Sequence, residues 1–445
     1  MRETDTTMTS STWAQRKSLF WRLHLWAAFL ATPFALVGTL TGVLYIFTPQ
    51  IEAVLHGHLD RVAPAGAPLK LDALVSLAQQ AAPRGAALRY VVTPEAPTES
   101  VRVYFSAPVL GHGKGHDKAH MDHHSSQAGS TVYLNPYSGD VLGVHGEMDR
   151  FGTWSKRLHS SLLQGNDWRW MLELSASWLL VMLLTGVYLW WPRGEARARP
   201  VSGLKGRMAW KQWHALAGVA LSLVTFAILI TGLTWSRHAG QQIKTAVDWA
   251  GQKQPEAPKG LRSTARPGQT LLGWQEVWDV VRSQAPRISY QLTPPTQADA
   301  PWRVTNFDRS QPTKRFSLLL DGYNGQRLHH TDWDSLTLFN KATAVGIPFH
   351  RGEFGWWNQA LLLVFGLGML WAVVSGWVMF GKRNRQGWLG LPRVLPGAWR
   401  SLPLGAWGLA VLLLAAMPLL ALSACGVVVC EAWVAWQARR AAVFD

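Results

Sequence analysis

Long apolar runs alternate along the chain with long polar stretches. Four of these runs have the roughly 20 residues that an α-helix needs to cross the hydrocarbon core of a bilayer. They lie at about residues 23–47, 170–191, 212–232 and 361–380. A last apolar stretch, at about residues 402–433, has room for a fifth span. The pattern therefore predicts a multi-span α-helical membrane protein, with a core of four helices and a fifth helix near the C-terminal end.

Two polar stretches between the spans share one order of predicted elements, a helix followed by strands. The helices are predicted from a 3.6-residue apolar period and the strands from short alternating or β-branched runs. In the first stretch the helix is predicted at 69–82 and the strands at 87–93, 100–106 and 130–134. In the second stretch the helix is predicted at 271–285, strands at 287–293 and 301–307, and a strand with its turn at 315–325. Each stretch therefore predicts a small α+β module outside the membrane.

The spans carry an internal repeat. Each landmark of the first half, a histidine or a hydroxyl–glycine pair, recurs 190 or 191 positions later. The matches are His24 with His214, Thr41-Gly42 with Thr231-Gly232, Thr185-Gly186 with Ser375-Gly376, and His159 with His350. Separate landmarks that agree on one offset predict that the four-helix core is built from two copies of one unit.

The placement of charge orients the spans. The formal net charge is +16, yet only 16% of the residues are charged, against roughly 25% in soluble domains. Basic residues precede the first span and follow the second and the fourth. Because basic loops remain on the cytoplasmic side, the N-terminus is predicted to be cytoplasmic and both α+β modules to lie on the outer side. No polar domain carries a basic patch interleaved with aromatic residues, so nucleic acid is excluded as a partner.

These patterns divide the chain into seven parts. The predicted parts are a cytoplasmic N-terminus with the first span (1–47), an outer module with a histidine-rich insertion (48–150), an outer histidine segment with the second span (151–192), a basic loop with the third span (193–235), a second outer module (236–345), a second histidine segment with the fourth span (346–381), and a basic loop with the fifth span (382–445).

The repeated histidines are the candidate cofactor ligands. Two copies in the same orientation imply a pseudo-two-fold axis along the membrane normal, so His24 and His214 are expected at one depth, and His159 and His350 at another. Facing histidines at one level of a helical bundle suit the two axial positions of a haem iron. Two levels predict two haems and an electron path across the membrane. The alternative is that each histidine is a satisfied packing residue.

A histidine-rich insertion, residues 111–124, interrupts the first outer module. It holds five of the 15 histidines: His112, His116, His120, His123 and His124. Imidazole together with neighbouring carboxylates suits Zn, Cu, Ni or ferric iron. The insertion is predicted either as a metal site or as a loop that attracts metal loosely, and a solvated tract without a role is the alternative.

The chain has no nucleotide-binding motif. It contains neither the phosphate-binding loop pattern nor a glycine-rich turn between a strand and a helix. Reducing equivalents are therefore expected from a quinol, a flavin or a separate cytoplasmic reductase.

Four histidine motifs resemble those of the PepSY-associated transmembrane family. They are RLHLWAAF with LTG, LHSSLLQG, QWHALAG with ITG, and FHRGEFG, and the resemblance covers about residues 18–385. It implies that the outer modules are periplasmic PepSY-like domains and that the haems are of the b type. It also implies an inner-membrane oxidoreductase of a Gram-negative bacterium, which reduces a ferric siderophore or another ferric chelate and so releases iron. The histidine-rich insertion and the fifth span depart from the family pattern.

Two other functions fit parts of the sequence. The first is a membrane protein that binds or regulates a partner through its PepSY-like modules, without redox activity and with histidines that only pack. The second is a metal transporter that uses the histidine-rich insertion. A transporter needs polar groups at mid-membrane, and the spans contain few.

Overall fold

The computed structural model describes residues 3–107, 129–191, 205–265, 267–285, 288–383 and 391–444. The chain forms two compact units. The helical unit consists of Met1–Ile46, Leu158–Ala250 and Gly355–Asp445. The sheet unit consists of Phe47–Arg157 and Gly251–Phe354.

The regular elements are numbered in chain order. The helices are α1 (Glu3–Ile46), α2 (Thr48–Asp60), α3 (Leu71–Ala81), α4 (Phe151–Ser161), α5 (Trp170–Trp190), α6 (Gly206–Ala220), α7 (Ser222–Leu233), α8 (Ala239–Trp249), α9 (Trp274–Gln284), α10 (Leu338–Arg351), α11 (Trp356–Gly381), α12 (Leu404–Ala416) and α13 (Pro418–Phe444). The strands are β1 (Leu88–Val92), β2 (Val101–Phe105), β3 (Ser130–Leu134), β4 (Val141–Gly146), β5 (Tyr290–Thr293), β6 (Trp302–Asn306), β7 (Phe316–Leu320) and β8 (Arg327–Asp332).

The helical unit contains the membrane spans. Within the described residues, four helices are long and apolar enough to cross a bilayer, in α1, α5, α11 and α13, and the bent pair α6–α7 makes a fifth candidate. A helix satisfies its own backbone hydrogen bonds, which is why apolar runs of this length fold as helices in lipid. The chain is therefore a multi-pass helical membrane protein, as the apolar pattern predicts.

The α1–α5 contact is formed by small residues. Ala27, Ala31 and Ala35 are buried along one face of α1 and share a core with Trp178 and Leu180 of α5. Small side chains let two helix backbones approach closely, and close packing is a main source of helix association in lipid.

The third span is bent, whereas the sequence pattern predicts one continuous helix at 212–232. α6 and α7 meet at Leu221 with an angle of 58°. The hydroxyl of Ser222 donates to the Val219 carbonyl at 2.8 Å, a side-chain bond to the preceding turn of the kind that bends helices. The Leu221 side chain lies against Gly368 of α11, where an added Cβ would overlap it.

The C-terminal apolar stretch also differs from the prediction of a single fifth span. It forms two helices, α12 and α13, that meet at Met417 and Pro418. Proline disfavours helical backbone for the residue before it, and Met417 leaves the helical region with φ −127° and ψ 86°.

The pair α12–α13 begins and ends beside the first part of α1. The guanidinium of Arg16 donates to the Ser401 carbonyl at 2.6 Å, just before α12. In α13, Glu431 accepts two hydrogen bonds from Arg22, at 2.6 and 2.5 Å, and a third from the indole of Trp26. The C-terminal part of α13 therefore lies beside the N-terminal part of α1.

The sheet unit is built around one antiparallel sheet of eight strands. The strand order is β4-β3-β2-β1-β5-β6-β7-β8, and every neighbouring pair is antiparallel. The order is symmetric about the central β1–β5 pair, and a helix precedes each set of four strands, α3 in the first and α9 in the second. The predicted helices and the six predicted strands are confirmed, whereas β4 and β8 were absent from the sequence pattern.

The two helices of the sheet unit cap one another. Asp72 of α3 accepts hydrogen bonds from the backbone N–H groups of Trp274 (2.8 Å) and Gln275 (3.1 Å), which begin α9. The Gln275 side chain in turn accepts the N–H of Leu71 at 2.9 Å. Apolar residues of α3, α9 and both sets of strands form one core, so the two predicted modules fold together as a single body.

Candidate functional site

His24 and His214 face each other inside the helical unit. His24 lies on α1 and His214 on α6, and their ring centroids are 6.4 Å apart with the ring planes perpendicular. The structure therefore brings together the pair that the repeat predicts at one membrane level.

The facing helix α5 determines which nitrogen of His24 carries the proton. Nδ1 of His24 lies 3.0 Å from the Met182 carbonyl and 3.1 Å from the Thr185 hydroxyl. A carbonyl oxygen only accepts, and the Thr185 hydroxyl uses its own hydrogen toward the Val181 carbonyl at 2.8 Å. Both neighbours are therefore acceptors, so Nδ1 of His24 is the donor and Nε2 carries the lone pair.

His214 has the same surroundings on α11. Its Nδ1 lies 2.9 Å from the Ser375 hydroxyl, which donates to the Ala372 carbonyl at 3.2 Å. With the Ser375 hydrogen on that carbonyl, Nδ1 of His214 is the donor and Nε2 carries the lone pair.

His159 repeats the arrangement against α1. It lies near the end of α4, and its Nδ1 is 3.0 Å from the Thr41 hydroxyl, which donates to the Val37 carbonyl at 2.8 Å. An apolar pocket adjoins the ring, lined by Phe34, Val37, Leu162, Met171 and Leu172.

A glycine follows each of these hydroxyl residues and lets the histidine ring lie against the helix backbone. An added Cβ would stand 3.2 Å from Cε1 of His24 at Gly186, and 3.3 Å from Cε1 of His159 at Gly42. At Gly376 the corresponding distance to His214 is 3.7 Å. Three of the four hydroxyl–glycine pairs that mark the repeat in the sequence, Thr41-Gly42, Thr185-Gly186 and Ser375-Gly376, are therefore contact surfaces of histidines.

Backbone strain adjoins His159. Leu162 and Leu163, which connect α4 to α5, both have left-handed backbone, with φ of 51° and 63°. This region disfavours residues with a Cβ, at a cost of roughly 1–2 kcal/mol each. Such strain persists where the surrounding structure over-determines it, and it is common at functional sites.

His350 belongs to the sheet unit. It lies in the last turn of α10, which ends at Gly352 in the left-handed conformation. Arg351 pairs with Glu353 at 2.9 Å, and burial raises the pKa of the Glu353 carboxyl group, although the Arg351 guanidinium opposes that shift. The pairing of His350 with His159 stays a prediction.

The inner pair passes a first test of fit to a haem. An imidazole nitrogen binds a transition metal at roughly 2.0–2.1 Å, so two rings that share one ion through Nε2 stand roughly 6 Å apart between centres. The observed separation of His24 and His214 is 6.4 Å. No described residue forms a hydrogen bond with Nε2 of either ring, which leaves both lone pairs for a ligand. A haem needs two ligands from the protein. Among the described residues, no group of three or more His, Cys, Asp or Glu side chains could hold a metal ion by itself.

The histidine-rich insertion lies outside the described residues. The prediction that His112, His116, His120, His123 and His124 bind metal therefore stays a prediction.

Sequence reasoning missed two carboxylates of the helical unit. Glu173 of α5 is buried and accepts the backbone N–H groups of His238 and Ala239 at 3.0 and 2.7 Å, so that it caps α8. Glu431 of α13 is the acceptor for Arg22. Each is a single acidic residue within an apolar run, and that isolation is itself a signal of a specific partner.

Comparison with known protein families gives a match. A family model described as the PepSY-associated TM region matches residues 21–383, which include the four repeated histidines and end before α12. No curated protein matches the chain.

Proposed function

Because this chain belongs to the PepSY-associated transmembrane family, we propose that it is a haem-containing reductase of the bacterial inner membrane. In this proposal it passes electrons across the membrane to a ferric siderophore or another ferric chelate in the periplasm, where reduction to the ferrous state releases the iron.

One observation carries the proposal. His24 and His214 face each other at 6.4 Å, and each has its Nδ1 hydrogen occupied by oxygen atoms of a neighbouring helix. An imidazole that only packs needs no particular tautomer, whereas a metal ligand needs a free lone pair on the nitrogen that points to the metal. Two facing rings with the same free nitrogen support a pair of axial ligands.

The proposed roles follow the two levels of the repeat. His24 and His214 hold one b-type haem, and His159 with His350 holds a second. A bound haem supplies one-electron redox chemistry, and the protein tunes it through the axial ligands and the dielectric around them. If both histidines of a level held the haem, the protein would supply two ligands there, and reduction of the chelate would need only electron transfer to it.

The remaining parts of the proposal concern orientation and partners. The N-terminus is cytoplasmic, and the electron donor is a quinol, a flavin or a cytoplasmic reductase. The two halves of the eight-stranded sheet are periplasmic PepSY-like modules, which offer a surface for the chelate.

The test is an optical spectrum of the detergent-purified protein, oxidised and dithionite-reduced, with haem quantified per chain. We expect two b-type haems, one lost in the double variant His24→Ala/His214→Ala and the other in His159→Ala/His350→Ala. His238→Ala is the matched control, because His238 lies in the same unit but its ring contacts the Glu173 carboxylate at 3.3 Å. Its haem content is expected to equal that of the unmodified protein.

The other outcomes are equally informative. One haem that depends on His24 and His214 alone would restrict the proposal to the inner level. A protein without haem, after expression with sufficient haem supply, would refute the reductase and favour a binding role for the sheet unit.

A further inference from the structure

We propose that Thr185, Ser375 and Thr41 are positioning residues, which hold His24, His214 and His159 in a single tautomer with Nε2 free. The inference rests on the proposed function only in naming haem as the group that Nε2 binds. The tautomer itself follows from the hydrogen bonds and can be measured without haem.

The three sites share one geometry. In each, the histidine Nδ1 lies 2.9–3.1 Å from a threonine or serine hydroxyl of the facing helix. At His24 the ring nitrogen also lies 3.0 Å from the carbonyl three residues before that hydroxyl, at Met182. The contact between a hydroxyl and a histidine Nδ1 occurs on three different helices, α5, α1 and α11, so it is a recurring arrangement.

The hydroxyl is held as an acceptor by its own helix. Thr185 and Thr41 donate to the carbonyl four residues earlier, both at 2.8 Å, and Ser375 donates to the carbonyl three residues earlier at 3.2 Å. A hydroxyl has one hydrogen. With that hydrogen directed to its own helix, the oxygen receives the Nδ1 hydrogen, and at His24 the opposite tautomer would bring a bare nitrogen against two acceptors.

The glycine after the hydroxyl residue also constrains the histidine ring. Gly186 and Gly42 let Cε1 of the ring approach the backbone, so the plane of the ring is constrained as well as its proton. Thr231 of α7, the fourth hydroxyl of the repeat, makes the same bonds within its own helix, to Ala227 at 2.7 Å and Ile228 at 3.1 Å.

Loss of the hydrogen bond to Nδ1 is expected to make the histidine a weaker haem ligand. A hydrogen bond from the second ring nitrogen orients a ligating histidine and raises its basicity, and its loss typically lowers metal affinity by roughly 10–100-fold. In Thr185→Val the Met182 carbonyl remains as an acceptor. We therefore expect the lower end, a loss of about tenfold in haem affinity, with a higher midpoint potential for that haem.

The experiment compares Thr185→Val with Thr185→Ser in the full-length protein. Valine removes the hydroxyl at nearly constant shape, and serine restores it. Thr225→Val is the matched control, since the Thr225 hydroxyl donates to the Leu221 carbonyl at 2.9 Å in the same way but contacts none of the three histidines. Two readouts are used: haem dissociation with the midpoint potential, and ¹⁵N NMR of the histidine rings in dithionite-reduced protein.

The outcomes separate this inference from the proposed function. Weaker haem binding and a raised potential in Thr185→Val alone, restored by serine, support the inference. A Thr185→Val protein that matches the unmodified protein in affinity, potential and ring ¹⁵N shifts overturns it. If the protein holds no haem, the proposed function fails and the NMR decides: protonated Nδ1 in His24 supports the tautomer, and protonated Nε2 refutes it.

Discussion

Removal of the Glu173 side chain tests whether the buried carboxylate that caps α8 stabilises the helical unit. Its carboxyl group is fully buried and accepts three hydrogen bonds, from the backbone N–H of His238 and of Ala239 and from the His238 ring. These donors begin α8, where the helix dipole is positive, so a negative charge is favoured there. The bonds connect α5 to the first turn of α8.

The magnitude follows from the two backbone bonds. Hydrogen bonds to charged groups contribute roughly 1.5–3 kcal/mol each, so Glu173→Ala is expected to lower the free energy of unfolding by roughly 3–6 kcal/mol. Glu173→Gln keeps one acceptor oxygen and is expected to cost about half as much. Asp167→Asn is the control: the Asp167 side chain is 91% exposed in its pair with Arg237, and exposed pairs contribute roughly 0–1 kcal/mol.

The assay is thermal unfolding in detergent, combined with hydrogen exchange of the α8 amides. We expect a clear loss of melting temperature in Glu173→Ala and faster exchange in the first turn of α8, with Asp167→Asn close to the unmodified protein. If Glu173→Ala melts with the unmodified protein and its α8 amides keep their protection, the cap does not stabilise the unit and the reasoning fails.

Three further substitutions probe other contacts. Gly366→Ala places a Cβ against Cγ2 of Val43, and we expect it to lower the free energy of unfolding by about 1–3 kcal/mol, measured as a lower melting temperature. Gly218→Ala is its control, because open space surrounds Gly218 and the added methyl group should not destabilise the protein. Glu431→Gln removes the charged acceptor for the arginine of α1, and we expect limited proteolysis to cut within α13 sooner, while unchanged cleavage would contradict the contact. Asp72→Ala leaves two N–H groups of α9 without their acceptor, and we expect a loss of about 0.5–2 kcal/mol in chemical unfolding, with faster exchange in the first turn of α9.

Much of the helical unit could be predicted from the apolar pattern. Hydrocarbon cannot hydrogen-bond to a backbone, so a long apolar run must satisfy its own N–H and C=O groups as a helix. α5 therefore begins and ends within a residue of the predicted 170–191. The breaks at Leu221 and Met417 were not predicted. The break at Leu221 depends on the hydrogen bond from the Ser222 hydroxyl to the preceding turn and on the space that Gly368 leaves for the Leu221 side chain. The break at Met417 depends on Pro418, which disfavours helical backbone at the residue before it.

In the sheet unit, the strands whose own sequence carries a pattern could be predicted, and the other strands could not. Residues 130–134 are a short run with β-branched and aromatic side chains, and they fold as β3 with the predicted bounds and four buried positions. β4 and β8 contain glycine or histidine and present exposed or half-buried positions, so their sequences carry little apolar signal. They are strands because a neighbouring strand supplies hydrogen bonds, and such pairing is a property of the assembled sheet.

The sequence by itself determined that the protein is a multi-span helical membrane protein, and its repeat singled out four histidines and the hydroxyl–glycine pairs. Local chemistry suffices for these conclusions, since apolar length, residue type and spacing can be read along one chain. Only the tertiary structure decided that each hydroxyl–glycine pair of α1, α5 and α11 contacts a histidine. It alone decided that Nδ1 of His24 faces two oxygen atoms of α5 and that Glu173 caps α8. Those properties depend on atoms far apart in the chain, and packing of the helices is what brings them within hydrogen-bond distance.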